Sequence, residues 1–494
     1  MVGVSCRFGR FIQTRSHAVP RLHEQSFSKL RQVVLLLVSA SIAVVSGCAS
    51  LAGPKYVSPN PPLKQGWSLN AADPASAATD IPIDWWTGFG DLYLNDLIKR
   101  ALLDSQDIKI LAARIEAADI GIGQERSNNI PKINLNIETD TLRSSKETLH
   151  SYQAVSELSW ELDIWGKVRK GIRAQQAEFY ASEADYRAGY LSLVADVAIT
   201  YIEIRALDDL IDIQSQALVK NKRILDIYQM QLREGLVPRT NVLQQHAETQ
   251  GIKRELIDLE RQRAISVNRL TSLLGQPAGS LQVPHAGLRQ TLRTPLVPVG
   301  LPADLLARRP DILAAEYRVL KAYNLVGQAR LERLPSIGLS GRGGLASTAL
   351  SAVLNSWTLG LGLALKMPIF DPNLSLNIKS RKVEHRISEE EYRKTVIQAF
   401  EEVENALINL ASYKRQAKEL EQQLVSLRTV NRQTMAQLSE GILSPLEVFE
   451  SERTLLATEQ LSLEFERQSL TDTVTLYKAL GGGWPKQAVV LTDR

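Results

Sequence analysis

The chain is written twice, and that constrains its fold more than anything else in it. Residues 97–135 and 301–339 align at an offset of 204. Asp107-Ile108 meets Asp311-Ile312, Arg114 meets Arg318, Gln124 meets Gln328, Arg126 meets Arg330, and Pro131 meets Pro335. Further on the offset is 206, with Tyr186-Arg187 on Tyr392-Arg393 and Leu274-Gly275 on Leu480-Gly481. Two long copies, not many short ones, point to a duplicated plan whose halves pack together and exclude a solenoid of small repeats. The small drift in offset places the differences in short loops.

Each half has three textures. First comes a helical stretch, Leu92–Ser127 and its copy Pro302–Arg333, closed by Pro131 and Pro335. Two segments of strict alternation follow. Ile133, Leu135 and Ile137 alternate with Asn134, Asn136 and Glu138, and Leu158, Trp160, Leu162 and Ile164 alternate with Ser159, Glu161 and Asp163. In the second half Trp357, Leu359, Leu361, Leu363 and Leu365 alternate with Thr358, Gly360, Gly362 and Ala364. Period two with one apolar side is a strand with one greasy face, and runs of about ten residues suit strands that cross a membrane. The third texture is long helix. No proline interrupts Lys167–Val237 or Asn373–Ser444, and seventy-odd helical residues span about 100 Å. Val396, Ala399, Phe400, Val403, Ala406, Leu407 and Leu410 follow helical spacing, as do Tyr190, Leu193, Val194, Val197, Tyr201 and Ile204. So narrow a stripe on so long a rod needs partner helices, as in a coiled coil. Second helices, Thr240–Leu274 and Leu446–Leu480, complete the halves. Four strands cannot close a barrel, and open edges are not tolerated in lipid, so several chains must pool their strands.

The N-terminus reads as an address. Lys29 and Arg31 precede the apolar stretch Val33–Val45, too short for a comfortable transmembrane helix, and Val45-Ser46-Gly47-Cys48 closes it. That is a secretory signal whose end resembles the bacterial lipobox, with Cys48 as the lipidated residue; Ala49 after it matches sorting to the outer membrane. Residues 1–47 hold six of the chain's 58 Lys and Arg and one of its 54 Asp and Glu. Beyond them the chain carries 52 basic and 53 acidic residues, a net charge of −1, so its basic pI gives no argument for nucleic-acid binding. Two cysteines exclude a disulfide framework.

The copies meet again at a turn. "REGLVPRTNVLQQH" (residues 233–246) returns as "SEGILSPLEVFESE" (residues 439–452). In both, a helix runs into Glu-Gly, and Gly235 and Gly441 sit where a left-handed cap is favoured. Ser444, Pro445 and Glu447 then form a capping box for the next helix. The apolar pairs Leu236-Val237 and Ile442-Leu443 occupy the turns, either packing on the hairpin itself or offering a docking surface. Glu447 and Glu450 stand where the first copy has Asn241 and Gln244. Glu447 has a capping duty open to it; Glu450, one turn further in, has none.

With the lipobox, the duplication, the Gly-centred tips and "DWWTGFGDLYLNDLI" (Asp84–Ile98) taken together, residues 48–484 resemble the outer-membrane efflux protein family. These are the TolC-like and OprM-like ducts, here of the lipoprotein (NodT-type) branch. The resemblance implies a mixed, mostly α-helical membrane protein. It would be a homotrimer with a twelve-stranded β-barrel, four strands per chain, above a long periplasmic coiled-coil barrel of α-helices. It implies an outer-membrane channel component of a tripartite efflux system: a passive exit duct, anchored by lipid, docking with a periplasmic adaptor (membrane fusion) protein and an inner-membrane pump of the RND class. The expected plan is a signal at 1–47, an extended anchor segment at 48–90, a first repeat at 91–290 with strands within 132–164, a linker at 291–300, a second repeat at 301–484 with strands within 336–369, and a tail at 485–494. The family's matching hairpin lines the periplasmic mouth with acids, usually Asp, which assigns Leu446, Glu447 and Glu450 to the gate and Gly235, Leu236, Val237, Gly441, Ile442 and Leu443 to adaptor contact. Catalytic motifs are absent from the sequence: six scattered histidines and no HExxH, Walker or GxSxG stretch. No cofactor beyond the covalent lipid and no metal site is expected. A pore acting without an RND pump is the alternative reading.

Overall fold

The computed structural model describes residues 53–61, 66–68, 81–298, 305–440, 442, 443 and 445–482. Cys48, Gly441 and Ser444 lie outside these. The chain divides into two units, residues 1–55 and 56–494, and the second is described below.

Helices α1 (Leu92–Asp104) and α2 (Gln106–Ser127) lead into strands β1 (Lys132–Arg143) and β2 (Thr148–Leu162). The rod α3 (Lys167–Arg233) runs away from the sheet and returns as α4 (Arg239–Leu273). The second half repeats the order with α5 (Pro310–Leu331), β3 (Ser336–Ser347), β4 (Trp357–Lys366), the rod α6 (Pro372–Ser439) and α7 (Pro445–Ala479). α3 and α6 have 67 and 68 residues, about 100 Å each. Among the described residues no helix is long and apolar enough to cross a membrane.

The rods survive at this length because each is covered along its whole run. Next to the sheet, α2 lies on α3, α3 on α5 and α5 on α6; towards the far end, α4 lies on α3, α3 on α7 and α7 on α6. The predicted stripe is the buried one: Leu193, Val194, Val197, Tyr201 and Ile204 in α3, and Val396, Ala399, Val403, Ala406 and Leu407 in α6.

The covers change over midway along the rods, and the largest core sits there. Trp85, Trp86 and Phe89, on a 3-10 turn, join Leu94, Leu97 and Ile98 of α1, Tyr201 and Ile204 of α3, Leu270 and Leu274 of α4, and Val474 and Tyr477 of α7. Trp85 stacks on Tyr477 with ring centroids 4.8 Å apart. Asp91 starts α1 by accepting from the Tyr93 and Leu94 amides, and also takes the Tyr201 hydroxyl. Fully buried Asp208 ties α3 to its surroundings: it accepts from Arg205, from Arg263 of α4, from His285 Nδ1 at 2.9 Å and from the Ala286 amide at 3.2 Å. Beside it Asp209 accepts from the Leu288 amide at 2.8 Å, while burial pushes its carboxyl above the ordinary range.

The helical stretch expected over Leu92–Ser127 is broken at Ser105, and its copy at Arg309, the position 204 residues on; both have extended ψ (131° and 119°). Pro310 disfavours helix at Arg309, and Ser105 stands as the N-cap of α2 with Asp107 in its first turn, although its side chain makes no capping bond. Both breaks also coincide with a tertiary contact. Gly275, at the end of α4, has φ +71°, and a Cβ there would lie 2.5 Å from the Asp104 carbonyl oxygen; Gly481, after α7, has φ +88°, and a Cβ would lie 2.8 Å from the Arg308 carbonyl oxygen. The repeated Leu-Gly pair thus lets each returning helix end against the break of its own half.

The strands form one antiparallel sheet in the order β1-β2-β3-β4. Ile133 pairs with Leu158, Trp160 with Leu339, and Leu339 with Leu363, so the greasy positions of all four strands share one face. That face is bare: Ile137 is 72% and Leu361 82% exposed. The opposite face carries Glu138 bonded to Gln153 and Glu157 facing Arg342 at 3.7 Å. β2 begins earlier than the alternation suggested, because Ala154 and Ser156 dilute the apolar face and Val155 sits on the polar one.

Candidate functional site

Both rods end in tips built alike. At the first, Glu234 ends α3, Gly235 takes φ +73°, and the Leu236 amide reaches back to the Gln231 carbonyl at 2.9 Å while that of Gly235 reaches Leu232 at 3.1 Å. These are the two bonds of a Schellman cap. At the second, the Ile442 amide reaches the Gln437 carbonyl at 2.9 Å, the same bond 206 residues later. That one bond is therefore shared; Gly441 and Ser444 lie outside the described residues. At the apices Leu236 is 72% and Ile442 69% exposed, while Val237 and Leu443 are half-buried. Each pair thus divides into one residue that packs on its hairpin and one that faces outward.

The second tip opens into α7. Leu446 is in its first turn, its side chain outside the described ones, and Glu447 is exposed in the same turn. Glu450 is half exposed, and Arg453 donates to it from one turn on at 2.9 Å. The i,i+3 spacing carried this partner in plain view, and the sequence reading missed it. Arg453 also lies over the Phe449 ring, 5.9 Å from its centroid.

Behind these exposed acids, Glu452 points into a cavity of about 50 Å³ where α7 meets the first hairpin, lined by Lys220 and Asn221 of α3, Glu248 of α4 and Asn431 of α6. Burial pushes the Glu452 carboxyl above the ordinary range, against the opposing pull of Lys220. Arg428 of α6 bonds Glu459 of α7 at 3.1 Å, and Gln460 donates to Gln214 of α3 at 3.1 Å. Gln460 and the half-buried Glu452 thus meet the first hairpin among apolar residues such as Ile213, Ile252, Leu455 and Leu456, while Arg428 and Glu459 tie α6 to α7 within the second hairpin. Among the described residues no cluster of three or more His, Cys, Asp or Glu side chains could hold a metal ion.

The model of the outer membrane efflux protein family matches twice, over residues 97–276 and 301–482. The chain belongs to the outer membrane efflux protein family. Toluene efflux pump outer membrane protein TtgF of Pseudomonas putida is 29% identical over 473 residues, covering 91% of this chain and 96% of the relative. Probable outer membrane lipoprotein SilC of Salmonella typhimurium is 28% identical over 464 residues, covering 91% and 98%. Among solved structures, the outer-membrane channel OprN is 24% identical with a TM-score of 0.79, covering 88% of this chain and 99% of that one, a likeness of fold. As an outer membrane efflux protein the chain is a channel component of an efflux system in the outer membrane, with the TolC-like fold.

Proposed function

We propose that three copies of this chain form one passive duct, anchored at Cys48, that receives small molecules from an inner-membrane RND-class pump through a periplasmic adaptor and releases them outside. The observation that carries the reading is the sheet: apolar on one face, charged on the other, and unpaired along β1 and β4. In lipid such edges must be paired, and three chains supply the twelve strands of a closed barrel. The helices repeat the pattern. α2 and α6 are the free flanks beside the sheet, and each turns apolar residues outward, Ile110 and Ile120 on one, Leu376, Val383 and Ile387 on the other. Unlike flanks that meet head to tail close into a ring. The two repeats, 91–290 and 301–484, each supply one hairpin of strands and one of helices.

Cys48 belongs to the lipobox, and the relative SilC bears the name lipoprotein. Leu446, Glu447 and Glu450 line the mouth where the second tips gather at the axis. Each Glu450 brings its own Arg453, so the ring is zwitterionic, with a weaker cation preference than bare carboxylates would give. Gly235, Leu236, Val237, Gly441, Ile442 and Leu443 form the adaptor-facing apices, with Leu236 and Ile442 as the contact residues. Planar-bilayer recording of the purified protein is the test. Glu450→Ala is expected to lower cation preference and block by trivalent cations; unchanged conductance and selectivity would put the constriction elsewhere. For the apices, cysteine cross-linking from Leu236 or Ile442 to the adaptor is expected to give a product.

A further inference from the structure

The two copies in the chain also carry information about the boundary between chains. We infer that neighbouring chains join β4 to β1 in one register, with Ala364 opposite Glu138, and Lys366 opposite Asn136, of the next chain. This rests on the ring reading above and fixes what that reading leaves open.

The equivalences are structural as well as sequential. α2 and α5 both span 22 residues, β1 and β3 both span 12, and all four begin and end at one offset. Ile133 of β1 is therefore the counterpart of Ile337 of β3. Crossing the sheet from Ile133 leads to Leu158 on β2 and then to Gly341 on β3, four residues beyond that counterpart. Strands of one closed barrel share a tilt, and tilt is set by this advance. The next two steps must then advance equally. From Ile337 the path leads to Leu365 on β4 and then to Ile137 of the next chain, four residues beyond Ile133. Every other pair along the seam follows from that one.

Three independent features agree with the register. Even-numbered residues of β1 and β4 lie on the charged face of the sheet and odd-numbered ones on the apolar face. The inferred pairs join even to even, whereas a slip by one residue would turn Lys366 into the lipid. Past the end of β4, Met367 is 60% and Ile369 94% exposed; the register carries them to Leu135 and Ile133 of the next chain, extending the apolar ladder. On the charged face the small residues Gly362 and Ala364 come opposite Asp140 and Glu138, where room is needed for an acid.

Disulfide formation between engineered cysteines reads the register directly. Within one chain β1 and β4 are three strand spacings apart, about 14 Å, beyond the reach of a disulfide, so any bond formed is between chains. The two native cysteines both precede residue 49, and the single-cysteine variants control for them. In outer membranes treated with copper-phenanthroline, A364C/E138C is expected to give covalent oligomers roughly tenfold faster than A364C/N136C or A364C/D140C, because direct partners approach to about 5 Å and diagonal ones only to about 7–8 Å. K366C/N136C should likewise outpace K366C/E138C, which guards against a folding defect in one variant. A diagonal pair that reacts faster overturns the register and leaves the ring standing. No bond in any pair of a protein that still migrates as a heat-sensitive oligomer overturns the register too. No bond and no oligomer overturns the ring reading itself.

Discussion

Alanine at Gly275 and Gly481 separates two physical roles that one glycine can combine. All three of Gly235, Gly275 and Gly481 have positive φ, of +73°, +71° and +88°. A Cβ on Gly235 would have nothing within 4 Å, whereas one on Gly275 would lie 2.5 Å from the Asp104 carbonyl oxygen and one on Gly481 2.8 Å from that of Arg308. Left-handed backbone costs an L-residue about 1–2 kcal/mol, and forcing a methyl into an occupied site adds about 1–3 kcal/mol. Gly235→Ala should therefore destabilise by about 1–2 kcal/mol, and Gly275→Ala and Gly481→Ala by about 2–5 kcal/mol each. Unfolding of the detergent-solubilised protein in urea, with Gly235→Ala as the internal reference, measures the difference. Protection of the α1 and α4 amides from hydrogen exchange should fall in Gly275→Ala and stay unchanged in Gly235→Ala. Equal destabilisation of all three variants would refute the close approach as the reason for the repeated Leu-Gly pair.

Other residues give distinct signatures. Asp208→Ala strands the buried Arg205 and its partner Arg263, an expected loss of about 3–5 kcal/mol measured in the same urea titration; Asp208→Asn should lose less. In bilayers Arg453→Ala should raise cation preference by unmasking Glu450, and Glu450→Ala should lower it; shifts of the same sign would contradict the pairing. Because burial raises the Glu452 carboxyl, its protonated form suits the fold. Its contribution is present below the ordinary glutamate range, about pH 4.3, and is lost as pH rises through the raised value. The stability of Glu452→Gln relative to the parent, measured by thermal unfolding, should therefore rise as pH is raised from about 4, and a pH-independent difference would contradict the assignment.

Much of this architecture is legible in the residues, for physical reasons. The rods announce themselves by seventy proline-free residues with helical spacing, and the strands at Ile133–Ile137 and Trp357–Leu365 by alternation, because lipid on one side and water on the other impose a strict two-residue period. The early half of β2 is hidden, since Ala154 and Ser156 fall on the apolar face and Val155 on the polar one, which erases the alternation. The close approach of Gly275 to the break at Ser105 is also hidden, because the two lie some 170 residues apart. The break at Arg309 is readable from Pro310. At the tip the acids stand out against Asn241 and Gln244 of the first copy, and the i,i+3 spacing of Glu450 and Arg453 suffices to pair them. Glu452 and the Asp208 cluster have no sequence signature at all: their neighbours, Lys220 in one case and Arg263 and His285 in the other, meet them only through the packing of separate helices.

The proposed duct requires that the open four-stranded sheet be completed by other copies of the same chain. Native mass spectrometry of the protein extracted in mild detergent counts those copies directly. Three chains per particle, falling to one on boiling, is the predicted result. A folded particle of one chain would contradict the account, because β1 and β4 would then have to remain unpaired in the membrane.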